Sequence, residues 1–123
     1  MKKILIILFV TLSSSVNALE KITNFSFERF NEAKSNGKTI VVNSWNKNCS
    51  ICAIQNKILS QAINDFNDVE FLFYEQTENK NIAKTLNIKY WATIVVFKGQ
   101  KEIAKKIGLN NKEEIYKLIK QGI

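Results

Sequence analysis

The 123-residue chain contains no histidine and no proline, and Cys49 and Cys52 are its only cysteines. Without histidine there is no Cys–His or Ser–His catalytic pair and no histidine-bearing zinc site. Arginine is almost missing: of 18 basic residues only Arg29 is not lysine, and the lysines are dispersed despite a net charge of +7. A nucleic-acid surface calls for a dense basic stripe, often with arginine for bidentate phosphate contacts. Neither is present, so no nucleic-acid partner is expected. The charge reads as solubility, with some attraction to acidic partners or lipid surfaces. A long hydrophobic run is lacking too. The apolar stretch from Ile4 to Leu12 has nine residues, whereas a membrane-spanning helix needs about 20.

That stretch follows Lys2 and Lys3 and precedes small polar residues, with Val16 and Ala18 in the small-residue cleavage pattern. This is the organisation of a secretory signal peptide. Cleavage after Ala18 divides the chain into a signal segment, 1–18, and one domain, 19–123. Retention as a membrane anchor is the alternative. No cysteine lies near the cleavage position, so a lipidated start is not expected.

Within 19–123, "EKIT" is read as a short edge strand, and Ser26–Ser35 as a helix with Phe27, Phe30 and Ala33 on one face and Gly37 as its stop. The β-branched run "TIVVNSW", Thr39–Trp45, predicts a buried strand. Ile51, Ile54, Ile58, Ala62, Ile63 and Phe66 have helical spacing, which predicts a helix from near Cys49 to about Asn64. "VEFLFYE", Val69–Glu75, is a second apolar strand, and Asn79–Leu86 a short helix. A hairpin follows: Thr93–Lys98, a turn at Gly99–Gln100, and Lys101–Ile107. Asn110 with Glu113 suggests a capping box, and Ile115, Leu118 and Ile119 mark a last amphipathic helix. Strands joined through helices argue for parallel pairing, and the hairpin adds antiparallel strands. The expected fold class is α/β, a central mixed sheet flanked by helices on both faces.

Cys49 then sits where a buried strand feeds a helix N-terminus, with Cys52 one turn on. Unpaired backbone N–H groups, the positive helix end and Lys47 all favour a thiolate at Cys49, while Cys52 lies inside the first turn and is more shielded. That asymmetry suits exchange: Cys49 attacks a disulfide and Cys52 resolves the mixed disulfide. Two other uses stay open. As a staple, so short a loop contributes only about 2 kcal/mol in the chain-entropy model. As metal ligands, the pair falls short of the four a structural zinc needs, though two thiolates suffice for Cu(I).

The strand "TIVVNSW" leading into "CSIC", the segment "IAKTLNIKYWATIVVFKGQKEI" and Gly108 before the last helix together resemble the thioredoxin family, over nearly all of 19–123. The resemblance implies a thioredoxin fold and a dithiol–disulfide oxidoreductase with Cys49 as nucleophile, Cys52 as resolving thiol, and a Cys49–Cys52 disulfide in the oxidised form. No cofactor is implied. Trp91, Ala92 and Thr93 fall in the family's substrate-docking loop, and a partly exposed Trp91 there would meet partner proteins. Trp45 matches a family tryptophan ahead of the site and is read as a packing residue.

The chain departs from the family at four places. Ala92 stands at the cis-proline; a non-proline cis bond costs about 2.5–4 kcal/mol, so a trans, unstrained alanine peptide is expected there. Asn43 replaces the buried acid that serves the resolving thiol, and Phe73 replaces the lysine paired with that acid, so neither leaves an unpaired buried charge. Asn48, not tryptophan, precedes the first cysteine. The expected protein is a monomeric, periplasmic thiol–disulfide oxidoreductase, acting on protein dithiols and disulfides and able to draw electrons from a membrane donor. Ala92, Asn43 and the missing Gly-Pro between the cysteines favour the rival, a non-catalytic binding module whose pair holds Cu(I) or stays a fixed disulfide.

Overall fold

The computed structural model describes residues 23–123. Four strands form one mixed sheet in the order β2-β1-β3-β4. β1 (Thr39–Trp45) is parallel to β2 (Val69–Glu75) and antiparallel to β3 (Thr93–Lys98), which pairs in turn with the antiparallel β4 (Lys101–Ile107). β1 is central and every one of its residues is buried. A continuous Ile-Val-Val run fits a strand covered on both faces.

Strand alternation sends Ile40 and Val42 to one face and Val41, Asn43 and Trp45 to the other. On the first face, α1 (Phe27–Ser35) and α3 (Lys80–Thr85) close a core of Phe30, Ala33, Leu72, Tyr74, Ile82 and Val95. On the second, α2 (Ser50–Asp65) and α4 (Lys112–Lys120) pack Leu59, Ala62, Ile115, Leu118 and Ile119 against Val41, Phe71, Ile94 and Val96. The two cysteines belong to this second core.

The strands and helices lie where the sequence predicts them, with two shifts. The α4 cap is Asn111, whose side chain accepts from the Glu114 N–H at 2.9 Å and donates to the Glu114 carboxylate, rather than Asn110 with Glu113. In α2 the inward stripe is Cys52, Gln55, Asn56, Leu59 and Ala62, while Ile54 and Ile63 face solvent. Both stripes have helical spacing. Polar Gln55 turns inward because a buried amide on β1 and two loop carbonyls are there to bond it. Most of "EKIT", like the signal segment, lies outside the described residues.

Candidate redox site

The loop after β1 is shaped by Asn46. Its Oδ1 accepts from the Asn48 N–H at 2.9 Å and its main-chain carbonyl from the Cys49 N–H at 3.1 Å. Its amide nitrogen donates to the buried carboxylate of Glu75, which also accepts from the Thr77 hydroxyl and the Glu78 N–H. This Asx turn sets the entry of α2 and makes Cys49 the N-cap. The Cys49 Sγ accepts from the Cys52 N–H at 3.0 Å, where a serine or aspartate oxygen more often stands.

Cys49 and Cys52 are joined in a disulfide with their Cα atoms 5.2 Å apart. Cys49 is 9 % exposed and Cys52 only 1 %. No acidic side chain occupies the first turn of α2 to oppose charge at the helix end. After reduction, iodoacetamide near neutral pH is therefore expected to label Cys49 well before Cys52. Equal labelling rates, followed by peptide mapping, would contradict the difference in access.

Two grooves flank the bond. One, of about 690 Å³, is walled by Ile51, Tyr90, Trp91, Ala92 and Ile107 beside Cys49. The other, of about 510 Å³, runs past Cys52 between Trp45, Lys47, Asn56 and Glu78. Tyr90, Trp91 and Ile107 are 61, 40 and 55 % exposed, an uncommon amount of uncovered apolar side chain beside one cysteine. Trp45 is buried in the core with both cysteines and Phe73. The structure thus brings Cys49, Cys52, Trp91 and Ala92 together. Thr93 lies behind them, buried, with its hydroxyl donating to the Tyr90 carbonyl at 2.7 Å. Tyr90 and Ile107 were not legible as site residues from sequence: Tyr90 stands beside Trp91 in the loop before β3, and Ile107 is the last residue of β4.

Ala92 corrects an expectation. None of the described peptide bonds is cis, yet Ala92 is not relaxed: its φ is +62°, in the left-handed region, which costs a non-glycine residue roughly 1–2 kcal/mol. Three hydrogen bonds hold it. Its N–H donates to the Ser44 carbonyl at 2.9 Å, and its carbonyl accepts from the Gly108 N–H at 2.9 Å and from Gln55 Nε2 at 3.2 Å.

Behind the disulfide, Asn43 is fully buried and sits in register with the equally buried Phe73 on β2. Its Nδ2 donates to Gln55 Oε1 at 3.1 Å and to the Thr93 carbonyl at 3.2 Å. Its Oδ1 has no hydrogen-bond partner among the described residues. Gln55 was also missed from sequence. The available signal was a glutamine three residues after a cysteine that must face the core.

A mixed sheet with helices on both faces and a Cys-x-x-Cys disulfide at a helix start defines a thioredoxin-fold disulfide protein. Comparison with known proteins agrees. The family model described as Thioredoxin matches residues 20–121. Thioredoxin H2 of Arabidopsis thaliana is 33 % identical over 93 residues, covering 73 % of this chain and 67 % of its own. Thioredoxin of Mycoplasma genitalium is 29 % identical over 93 residues, covering 76 % of this chain and 91 % of its own. Among solved structures, the oxidised form of mitochondrial thioredoxin 3 from Saccharomyces cerevisiae superposes with a TM-score of 0.71 at 25 % identity, over 84 % of this chain and 97 % of that one. The chain belongs to the thioredoxin family. With its cysteine pair it falls in the general class of thiol–disulfide oxidoreductases, whose partners are protein disulfides.

Proposed function

We propose that the protein is exported by its first 18 residues and that its 19–123 domain exchanges disulfides with proteins of the cell envelope, working as a monomer. Export rests on the signal-like pattern of the first 18 residues; the observation that carries the exchange reading is the placement of the pair. Cys49, the more exposed residue of the two, caps a helix at the junction of two grooves, and Cys52 is almost wholly buried beside it.

In the reducing direction the Cys49 thiolate attacks one sulfur of a partner disulfide, forming the mixed disulfide and expelling the other partner sulfur as a thiolate. Cys52, deprotonated, then attacks the Cys49 sulfur. The Cys49–Cys52 bond forms, the second partner thiolate leaves, and two electrons have passed to the partner. A membrane dithiol donor would restore the reduced pair; run backwards, the same steps oxidise a partner dithiol.

Cys52→Ser should therefore trap partners on Cys49, because the second attack is lost. Reductant-sensitive, gel-shifted adducts are expected in envelope extracts of cells carrying the variant, well above those of the double Cys→Ser protein. Equal adducts in the two would remove the exchange reading. A glutathione titration then separates the rival. A potential between about −270 and −120 mV suits an exchanging pair, and one below about −300 mV suits a fixed bond.

A further inference from the structure

Gln55 lies on the same side of α2 as Cys52, one turn deeper, and is fully buried. Its carboxamide is used in three directions. Oε1 accepts from Asn43 on β1, and Nε2 donates to the Ala92 carbonyl at 3.2 Å and to the Leu109 carbonyl at 2.8 Å. The orientation is forced. A flipped amide would set its oxygen against two carbonyl oxygens and its nitrogen against a donor. The two carbonyls belong to the two loops that wall the larger groove: the turn with Tyr90, Trp91 and Ala92, and the β4–α4 connection that begins at Gly108. One buried side chain, rooted in the helix that carries the disulfide, anchors both walls. One of those walls contains an alanine held in a left-handed conformation.

We propose that Gln55 is a positioning residue that fixes the shape of the groove beside Cys49, and through it the choice of protein partners over small disulfides. The proposal rests on the exchange reading above. Gln55 touches no partner; it acts through Ala92 and Leu109. A protein disulfide must seat its flanking residues against Tyr90, Trp91 and Ile107 to reach Cys49, so a shifted wall misplaces the reacting sulfur. A misplacement of about 1 Å can cost on the order of 10²-fold in rate. A small disulfide needs no wall.

The test uses the full domain in two variants. Gln55→Met keeps length and removes the amide. Gln55→Asn keeps a buried amide one methylene too short to reach both loops. Each reduced protein is assayed against insulin and against glutathione disulfide, under conditions where far-UV circular dichroism shows the fold intact. The expected result is a loss of about 10–100-fold with insulin, with the rate toward glutathione disulfide changed far less, because the reacting sulfur itself is unaltered. Adding Ala92→Gly to Gln55→Met should recover part of the insulin rate, since glycine takes a positive φ without a clamp. A readout independent of activity is the Trp91 backbone amide resonance, which should shift or broaden in both variants and sharpen again with glycine. Equal slowing with both disulfides, an unchanged insulin rate, or a Trp91 resonance indifferent to Gln55 would each overturn the proposal. If the Trp91 resonance responds while the parent reduces neither disulfide, the exchange reading falls and the positioning role stands without it.

Discussion

Ala92→Pro is expected to destabilise the domain by about 2–4 kcal/mol, although proline is what the family carries at this position. Proline holds φ near −65°, and Ala92 sits at +62°. Proline also has no N–H, so the bond from Ala92 to the Ser44 carbonyl is lost and a buried acceptor is left short; that alone is worth about 1 kcal/mol or more. The turn could satisfy proline only by leaving its present path, which would release the Ala92 carbonyl from Gly108 and Gln55 together. Ala92→Gly is the control. It removes the left-handed penalty and keeps every main-chain bond, and should stabilise by about 0.5–1 kcal/mol after the cost of glycine's flexibility. Urea unfolding monitored by circular dichroism reads both. A proline variant as stable as the parent, or a glycine variant weaker than it, would show that the turn is not held as described.

Asn43→Asp has the other large effect, and its sign depends on pH. An ionised carboxylate at position 43 would turn oxygens toward Gln55 Oε1 and the Thr93 carbonyl, both now served by the Asn43 amide. Gln55 cannot flip to help, because Ala92 and Leu109 hold its nitrogen. The neighbour across on β2 is Phe73, not a cation. A buried carboxylate without a partner costs about 3–5 kcal/mol. Protonation relieves this, since a carboxylic acid can donate one of the missing bonds. Burial therefore raises the pKa of the introduced carboxyl in the folded state above its unfolded value of about 3.9. Between those two values the folded form holds more protons than the unfolded form, so stability relative to the parent falls as pH rises, by roughly 1.4 kcal/mol per unit. Below pH ~4 the gap is smallest; above the folded pKa it is full.

The raised pKa of the introduced carboxyl also limits the kinetic gain. A carboxylate at 43 could accept the proton of Cys52 during resolution, help worth about 10²–10⁴-fold when a general base is well placed. Only its ionised fraction can do so. Resolution by the variant should thus exceed that of the parent most at intermediate pH, where the introduced carboxyl is ionised and Cys52 is still a thiol; at higher pH the thiol ionises unaided in both proteins and the gain shrinks. Urea unfolding at several pH values and single-turnover release of a mixed disulfide on Cys49 measure the two halves. A variant whose stability relative to the parent rises with pH would refute the buried, partnerless placement. Identical release profiles would mean that the proton of Cys52 does not limit resolution.

The strands were legible because β-branched runs such as Ile40–Val42 and Ile94–Val96 state both length and burial. The helix starts were legible to within a residue, since Ser26 and Asn111 each stand next to the turn they cap. Periodicity failed on α2 for a specific reason. It sorts residues by apolarity, and the inward stripe contains an amide whose partners lie 12 residues upstream on β1 and in two later loops. Nothing local marks Gln55 as buried until those loops are in place. Ala92 is a similar case. The cost of a cis bond argued correctly for trans, but φ was set by Ser44, Gly108 and Gln55, which no dipeptide rule contains. The cysteine pair needed no tertiary information, because the strand, the spacing and the helix start are contiguous.

The disulfide lies between two grooves of unlike lining. Toward Tyr90, Trp91 and Ile107 the ground is mainly aromatic and aliphatic; on the other side Trp45 is joined by the polar and charged side chains of Asn46, Lys47, Asn56 and Glu78. A guest cystine has two arms, and thiol exchange lines up three sulfurs nearly end to end. Its halves would therefore come to rest in different surroundings. A landscape of this kind would sort left from right: a guest with unlike arms would offer one of its two sulfurs for attack and the other for departure, a polarity that a symmetric cleft around the same two cysteines could not impose.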